Sequence, residues 1–125
     1  IIQKDFIPIV TPMGLDQKGQ AFNINADVAA GTLARSLGSR RLLLVTDVEG
    51  VLDKNEKLIS EIRSYEAEKL INEQTIHGGM IPKIKTCIEA VNNGVRGVVI
   101  IDGRRPHSIL FELFSDLGAG TLIRK

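Results

Sequence analysis

Cysteine is nearly absent: Cys87 stands alone among 125 residues, so no internal disulfide can form and the fold neither needs nor reports an oxidising compartment. Lying within an apolar helical pattern, it is expected in the core. Long apolar runs are missing too. None approaches the ~18 residues of a membrane span, and no bilayer is expected as a partner. Charge of one sign is also lacking, since 16 basic residues against 15 acidic leave a formal net charge of +1. That is too little to draw nucleic acid or a membrane surface as a bulk partner, so any recognition of an anion must be local. Two histidines far apart in sequence, His77 and His107, offer no ligand cluster beside a single cysteine, and no metal site is expected. Neither a GxxxxGK[ST] loop, nor a GxGxxG after a strand, nor a serine in a nucleophile elbow occurs, which removes the Walker, Rossmann and hydrolase readings. The chain opens at Ile1 without a methionine, so the lack of a signal-like start is uninformative.

What remains is ordinary globular material, 43% apolar and 25% charged, with no repeat, linker or low-complexity tract. Residues 1–125 read as a single α/β domain large enough to bury a core. Phe6-Ile7-Pro8-Ile9-Val10 predicts a short buried strand, although Pro8 weakens it for a central position. Asp16-Gln17-Lys18-Gly19-Gln20 predicts an exposed bend. A helix follows Asn23-Ile24-Asn25-Ala26-Asp27, with Ala26, Ala29, Ala30, Leu33, Ala34 and Leu37 on one face and Gly38 as its stop. Small residues dominate that face, so another element can approach closely. Either asparagine could cap the helix; two asparagines and an aspartate exceed what capping requires, which leaves a polar site open beside the capping role.

Arg41–Val45 is an apolar run of strand length, ending in Thr46-Asp47-Val48-Glu49-Gly50-Val51-Leu52-Asp53. Polar residues after a buried strand are where α/β sheets place ligands, though an ordinary loop with Asp47 in a local turn fits the same residues. Leu58-Ile59 suggests a brief edge strand. Ser64 is positioned to cap a helix through Tyr65, Ala67, Leu70 and Ile71, with Glu66, Glu68 and Lys69 facing solvent. A further helix runs from Lys83 through Ile84, Ile88 and Val91 to Asn93-Gly94. Val98–Ile101 predicts a strand buried on both faces, then Asp102-Gly103, a helix from about Pro106 to Phe114, and a terminal strand at Thr121–Ile123. This alternation argues for an α/β layer fold.

The stretch His77-Gly78-Gly79-Met80-Ile81-Pro82-Lys83 concentrates chemistry. Paired glycines bare backbone amides, Pro82 suits a first helical turn, and Lys83 adds a full charge near the positive end of the helix dipole. A phosphate placed there would meet all three. The alternative is a plain loop-to-helix junction ending in a surface lysine. His77 either reaches a ligand or is merely exposed, and His107 reads as a helix-start residue.

Taken in order, Asn23–Asp27, Thr46–Asp53, Gly78–Lys83, Ile101–Arg104 and Gly118-Ala119-Gly120-Thr121 resemble the amino-acid kinase family, in its acetylglutamate kinase branch, over essentially the whole chain. The resemblance implies the C-terminal, nucleotide-binding half of such an enzyme: a three-layer α/β/α sandwich with a mostly parallel central sheet. The family's glycine-rich phosphate loop, first catalytic lysine and acyl-amino-acid arginine are expected in a preceding half. It implies ATP-dependent phosphorylation of the side-chain carboxylate of N-acetyl-L-glutamate in arginine biosynthesis, in the cytoplasm, by a homo-oligomer, with Mg²⁺ carried mainly by the ATP phosphates. In that scheme Lys83 stabilises the transferring phosphoryl group, Asp27 holds the lysines, and Asn23 and Asn25 serve the acyl amino acid. Thr46, Asp47, Gly78, Gly79, Met80 and Lys83 bind nucleotide, and Glu112 and Gly118 match positions of an arginine effector site. Val99 departs from the expected histidine. Related kinases of glutamate or carbamate, or a nucleotide-binding module without turnover, are the competing readings; the isolated chain is expected to bind nucleotide without turning it over.

Overall fold

The computed structural model describes residues 6–125. An antiparallel hairpin comes first: β1 (Met13–Leu15) pairs with β2 (Ala21–Asn23). Its turn is the expected exposed bend. Asp16 Oδ1 accepts from the amides of Lys18 and Gln20 at 2.8 and 2.9 Å, and Gly19 supplies a φ of +81°. The strand predicted at Phe6–Val10 is not formed. That segment carries no regular structure, and Ile7 and Ile9 are 92% and 95% exposed. An apolar run becomes a strand only where a neighbour takes its backbone groups, and the pairings among the described residues leave this one out.

The main sheet has the order β3-β5-β6-β4, built from β3 (Leu42–Thr46), β4 (Glu61–Arg63), β5 (Val98–Asp102) and β6 (Gly120–Arg124). β3 runs parallel to β5 and β4 parallel to β6, while β5 and β6 are antiparallel. Both parallel pairs sit in a mixed sheet, in keeping with the expected fold class. The edge strand predicted at Leu58-Ile59 amounts to one antiparallel bridge, Leu52 to Leu58. One of the sheet's two edge strands, β4, lies just beyond it. Its three residues hold one buried apolar side chain, Ile62, between two exposed charges, too short a signal for periodicity to register.

On one face lie α1 (Ala26–Ser36), α2 (Ser64–Asn72) and α3 (Met80–Asn92). Their side chains Ala34, Ala67, Ile84, Cys87, Ile88 and Val91 pack with Leu44, Val98, Ile100 and Ile123 of the sheet into the main core. On the other face, β5 contributes Val99 and Ile101 to a smaller cluster with Ala119, Leu43 and Leu122. Only α4 (Ser108–Phe114) covers that side among the described residues, giving the third layer. Gly38, at φ +59°, and Gly94, at φ +106°, end α1 and α3 as expected. Of the stripe predicted for α1, Ala34 is buried, but Leu33 and Leu37 are exposed. Ser64 does not cap α2. The N-cap is Arg63, whose amide donates to Glu66 Oε2 at 2.8 Å, so Glu66 does local work that a purely solvent-facing role did not anticipate.

Candidate functional site

The site begins at two helix starts. Asn25 is the N-cap of α1, its Oδ1 accepting from the amides of Asp27 and Val28 at 3.0 and 3.2 Å. This places Asp27 in the first turn, pointing toward α3. Gly78, at φ +58°, turns the chain into α3, whose first turn holds Met80, Ile81, Pro82 and Lys83. The two helices come close at Gly31, where an added Cβ would stand 3.1 Å from Thr86 Cγ2. Across that gap Lys83 Nζ donates to Asp27 Oδ2 at 2.8 Å, with the side chains only 15% and 29% exposed. A half-buried ammonium and carboxylate, each at the positive end of a helix, are thus held in fixed register.

Cys87, one turn beyond Lys83, is fully buried. Burial pushes its thiol up to about 12, the nearby Asp27 charge adds to this, and Lys83 opposes it. It is a packing residue. The glycine turn offers fewer amides to an anion than expected, because those of Met80 and Ile81 already donate to the carbonyls of His77 and Gly78 at 3.3 and 3.2 Å. Around Gly78 and Gly79, by contrast, an added Cβ would meet nothing within 4 Å. The turn is open to a neighbour.

A second group of residues gathers at the carboxyl ends of the parallel strands β3 and β5. The Gly103 amide donates to the Thr46 carbonyl at 2.7 Å, an approach that any Cβ on Gly103 would obstruct by pressing to 2.6 Å from Val45 Cγ1. Thr46 Oγ1 donates to Asp47 Oδ1 at 3.3 Å. Asp102 is held by Arg104 through both carboxylate oxygens, at 2.9 and 2.8 Å, and by the Arg104 amide at 2.9 Å. The Arg104 side chain, then its amide, hold the Asp102 carboxyl down at about 2. With both oxygens engaged, Asp102 is poorly placed to take a metal ion. Among the described residues no group of three or more His, Cys, Asp or Glu side chains could hold one.

Between these groups lies a cleft of about 200 Å³ lined by Val48, Gly50, Val51, Leu52, Thr75, Ile76, His77 and Met80. Met80, singled out from the sequence, is in its wall, and Gly78 and Gly79 adjoin it. Thr46 and Asp47 do not line it; the residues that follow them do. Asn23 ends β2 on an exposed surface, two positions before the cap. Sequence reasoning placed Thr121 in the last family motif and at the head of the terminal strand but gave it no role. Its Oγ1 accepts from the Val51 amide at 2.8 Å and donates to the Ile59 carbonyl at 2.7 Å, so it fixes the loop that walls the cleft. A threonine heading the short apolar run Leu122-Ile123 of the terminal strand was the available signal.

Glu112 and Gly118 do come together. The Glu112 side chain is 7% exposed and pairs with Arg41 at 3.2 Å, and its other oxygen accepts from the Ala119 amide at 2.9 Å. Gly118, at φ +68°, passes so close that an added Cβ would sit 3.1 Å from Glu112 Oε2. They border a polar pocket of about 240 Å³ with Ser60, Ser115 and Asp116. Val99, the departure noted above, is fully buried in the sheet.

The layered sheet, the cleft at its strand ends and the lysine–aspartate pair at two converging helix starts define an α/β layer protein with its polar groups gathered at one end of the sheet. The chain belongs to the amino acid kinase family, whose sequence description matches residues 1–102. It is 57% identical over 125 residues to the acetylglutamate kinase of Pelagibacter ubique and 54% identical to that of Nitrobacter winogradskyi. All of this chain is matched, and it spans 43% and 42% of those proteins. Among solved structures, N-acetylglutamate synthase from Neisseria gonorrhoeae, complexed with coenzyme A and L-arginine, superposes with a TM-score of 0.85 at 30% identity, covering 91% of this chain and 26% of that one. Carbamate kinase from Giardia lamblia bound to citric acid gives 0.69 at 26% identity, over 90% of this chain and 36% of that one. No helix among the described residues is long and apolar enough to cross a membrane.

Proposed function

We propose that this chain is the C-terminal, ATP-binding lobe of a cytoplasmic acetylglutamate kinase, forming one domain over residues 1–125. The whole enzyme phosphorylates the side-chain carboxylate of N-acetyl-L-glutamate with ATP, giving N-acetyl-L-glutamyl 5-phosphate and ADP for arginine biosynthesis. The observation that carries this reading is the 2.8 Å contact between Lys83 and Asp27 at the starts of α3 and α1. The nucleophile is already ionised, so catalysis is alignment and charge neutralisation and needs no general base. Lys83 supplies positive charge to the transferring phosphoryl group, and Asp27 fixes the direction of its ammonium. Asn25 orders the start of α1, and Asn23, just upstream, contacts the acyl amino acid.

Met80 and the walls of the adjoining cleft receive the adenine, its thioether being a soft apolar contact. Gly78 and Gly79 leave room for the phosphates, and Thr46 and Asp47 approach the nucleotide from the strand ends. Mg²⁺ rides on the phosphates, since that ion keeps its waters and asks for few protein ligands. Glu112 and Gly118 form part of an arginine effector site in a homo-oligomeric enzyme.

The test is transfer of labelled phosphate from ATP by the full-length protein, offered N-acetylglutamate, glutamate and carbamate in parallel. Transfer to N-acetylglutamate is expected. Transfer only to glutamate or carbamate would move the assignment elsewhere in the family. A second reading, a nucleotide-binding module without turnover, draws on the chain's span of 42–43% of its curated relatives. Nucleotide binding without transfer by the full-length protein would favour it.

A further inference from the structure

One turn below the Lys83–Asp27 contact, α1 and α3 meet at a second pair of residues to which the reading above gives no role. Gly31 is four residues after Asp27 and Thr86 three after Lys83, so each lies on the same helix face as its member of the ion pair. Gly31 is buried. A Cβ there would stand 3.1 Å from Thr86 Cγ2, inside the roughly 3.5–4.0 Å of an ordinary carbon–carbon contact. The Thr86 methyl group thus fills the place that a side chain on α1 would take, and the two helices rest against each other through it.

Thr86 is not free to turn that methyl away. Its Oγ1 donates to the Pro82 carbonyl at 3.1 Å, and with the hydroxyl engaged the branched side chain has one direction left for Cγ2. The acceptor belongs to the peptide group that joins Pro82 to Lys83, so the hydrogen bond ties the methyl to the backbone from which Lys83 springs. A turn further down, Arg35 meets Glu89 at 3.4 Å, but the two side chains are 41% and 71% exposed. An ion pair so open to water contributes too little to fix the separation of two helices.

We propose that the Gly31–Thr86 contact is the spacer that sets how far apart the starts of α1 and α3 stand, and through it the place of the Lys83 ammonium during phosphoryl transfer. Gly31 and Thr86 are positioning residues, and their role rests on the one given above to Lys83. The four-carbon stem of lysine could follow a displaced helix and keep hold of Asp27. The ammonium would then move relative to the strand ends and the cleft, and transfer tolerates little of that, since a misplacement of about 1 Å costs on the order of 10²-fold.

The experiment moves one methyl group across the interface in the full-length protein. Gly31→Ala adds it on α1, Thr86→Ser removes it from α3 while keeping the hydroxyl, and the double variant does both at nearly constant volume. Labelled-phosphate transfer to N-acetylglutamate gives kcat and KM, with kcat expressed per nucleotide site counted by calorimetric titration with ADP. Gly31→Ala is expected to lower kcat about 10-fold and Thr86→Ser about 3-fold, each with KM for both substrates within about 2-fold, and the double variant should be faster than either. If Gly31→Ala does not fold, the double variant against Thr86→Ser carries the same comparison. Single variants with the wild-type kcat, a double variant no faster than Thr86→Ser, or losses that fall in KM overturn the spacer while leaving the kinase reading intact. A folded wild-type protein that transfers phosphate to no acceptor offered overturns the role of Lys83, and this inference with it.

Discussion

Lys83 shows how one side chain gains its chemistry from position. Exposed on an isolated helix it would be a solvated charge; 15% exposed and bonded to Asp27, it is a preorganised donor. From the role proposed for Lys83, Lys83→Ala in the full-length protein should lower kcat for the proposed phosphoryl transfer roughly 10²- to 10³-fold, with Lys83→Arg retaining part of the activity, as measured by initial rates. Cys87 makes the opposite case. With its thiol pushed up to about 12, it should resist iodoacetamide near neutral pH in the folded chain and react once the chain is unfolded, which mass spectrometry would count. Asp102 links a residue to pH. Its carboxyl falls from an ordinary 3.8 to about 2. A folded value below the unfolded one means the carboxylate stabilises the fold above 3.8 and loses that contribution as pH drops toward 2. Arg104→Gln should therefore move acid unfolding to higher pH, with the Asp102 carboxyl titrating nearer its ordinary value by NMR.

At the scale of elements, the helix starts and close backbone approaches set the geometry. Asn25→Ala removes the side-chain acceptor that caps the start of α1. It should cost about 1 kcal/mol by urea unfolding and loosen Asp27 from Lys83. Two glycines invite contrary outcomes. A Cβ on Gly120 would fall onto the Ile100 carbonyl of the neighbouring strand, so Gly120→Ala should destabilise by about 3 kcal/mol. Gly79 has helical dihedrals and open space. Gly79→Ala should leave the melting temperature unchanged and weaken nucleotide binding, because the methyl group enters the space proposed for phosphate.

For the molecule as a whole, burial is uneven. Three helices seal one face of the sheet, while α4 leaves Ile109, Leu110, Leu113 and Phe114 exposed on the other. The segment and hairpin before α1 expose Phe6, Ile7, Ile9, Val10, Met13, Leu15 and Phe22. Apolar surface on this scale is rare on monomers that stay alone in water. The 125-residue chain should accordingly bind a hydrophobic dye in its folded state and associate as its concentration rises, as sedimentation velocity would detect.

Much of this was written in local chemistry. The apolar runs of β3 and β5, the Asn25 cap and the glycine stops of α1 and α3 depend on residues within a turn or two of one another, and propensity acts at that range. The sequence by itself also placed Lys83 in the first turn of a helix behind a glycine turn. Tertiary structure alone decided that Phe6–Val10 stays unpaired, that Glu61–Arg63 becomes an edge strand, and that β5 and β6 run antiparallel. It alone carried Lys83 to Asp27 across 56 positions and Thr121 to Val51 across 70. Such contacts depend on which surfaces pack after the elements have formed, and no local preference encodes that.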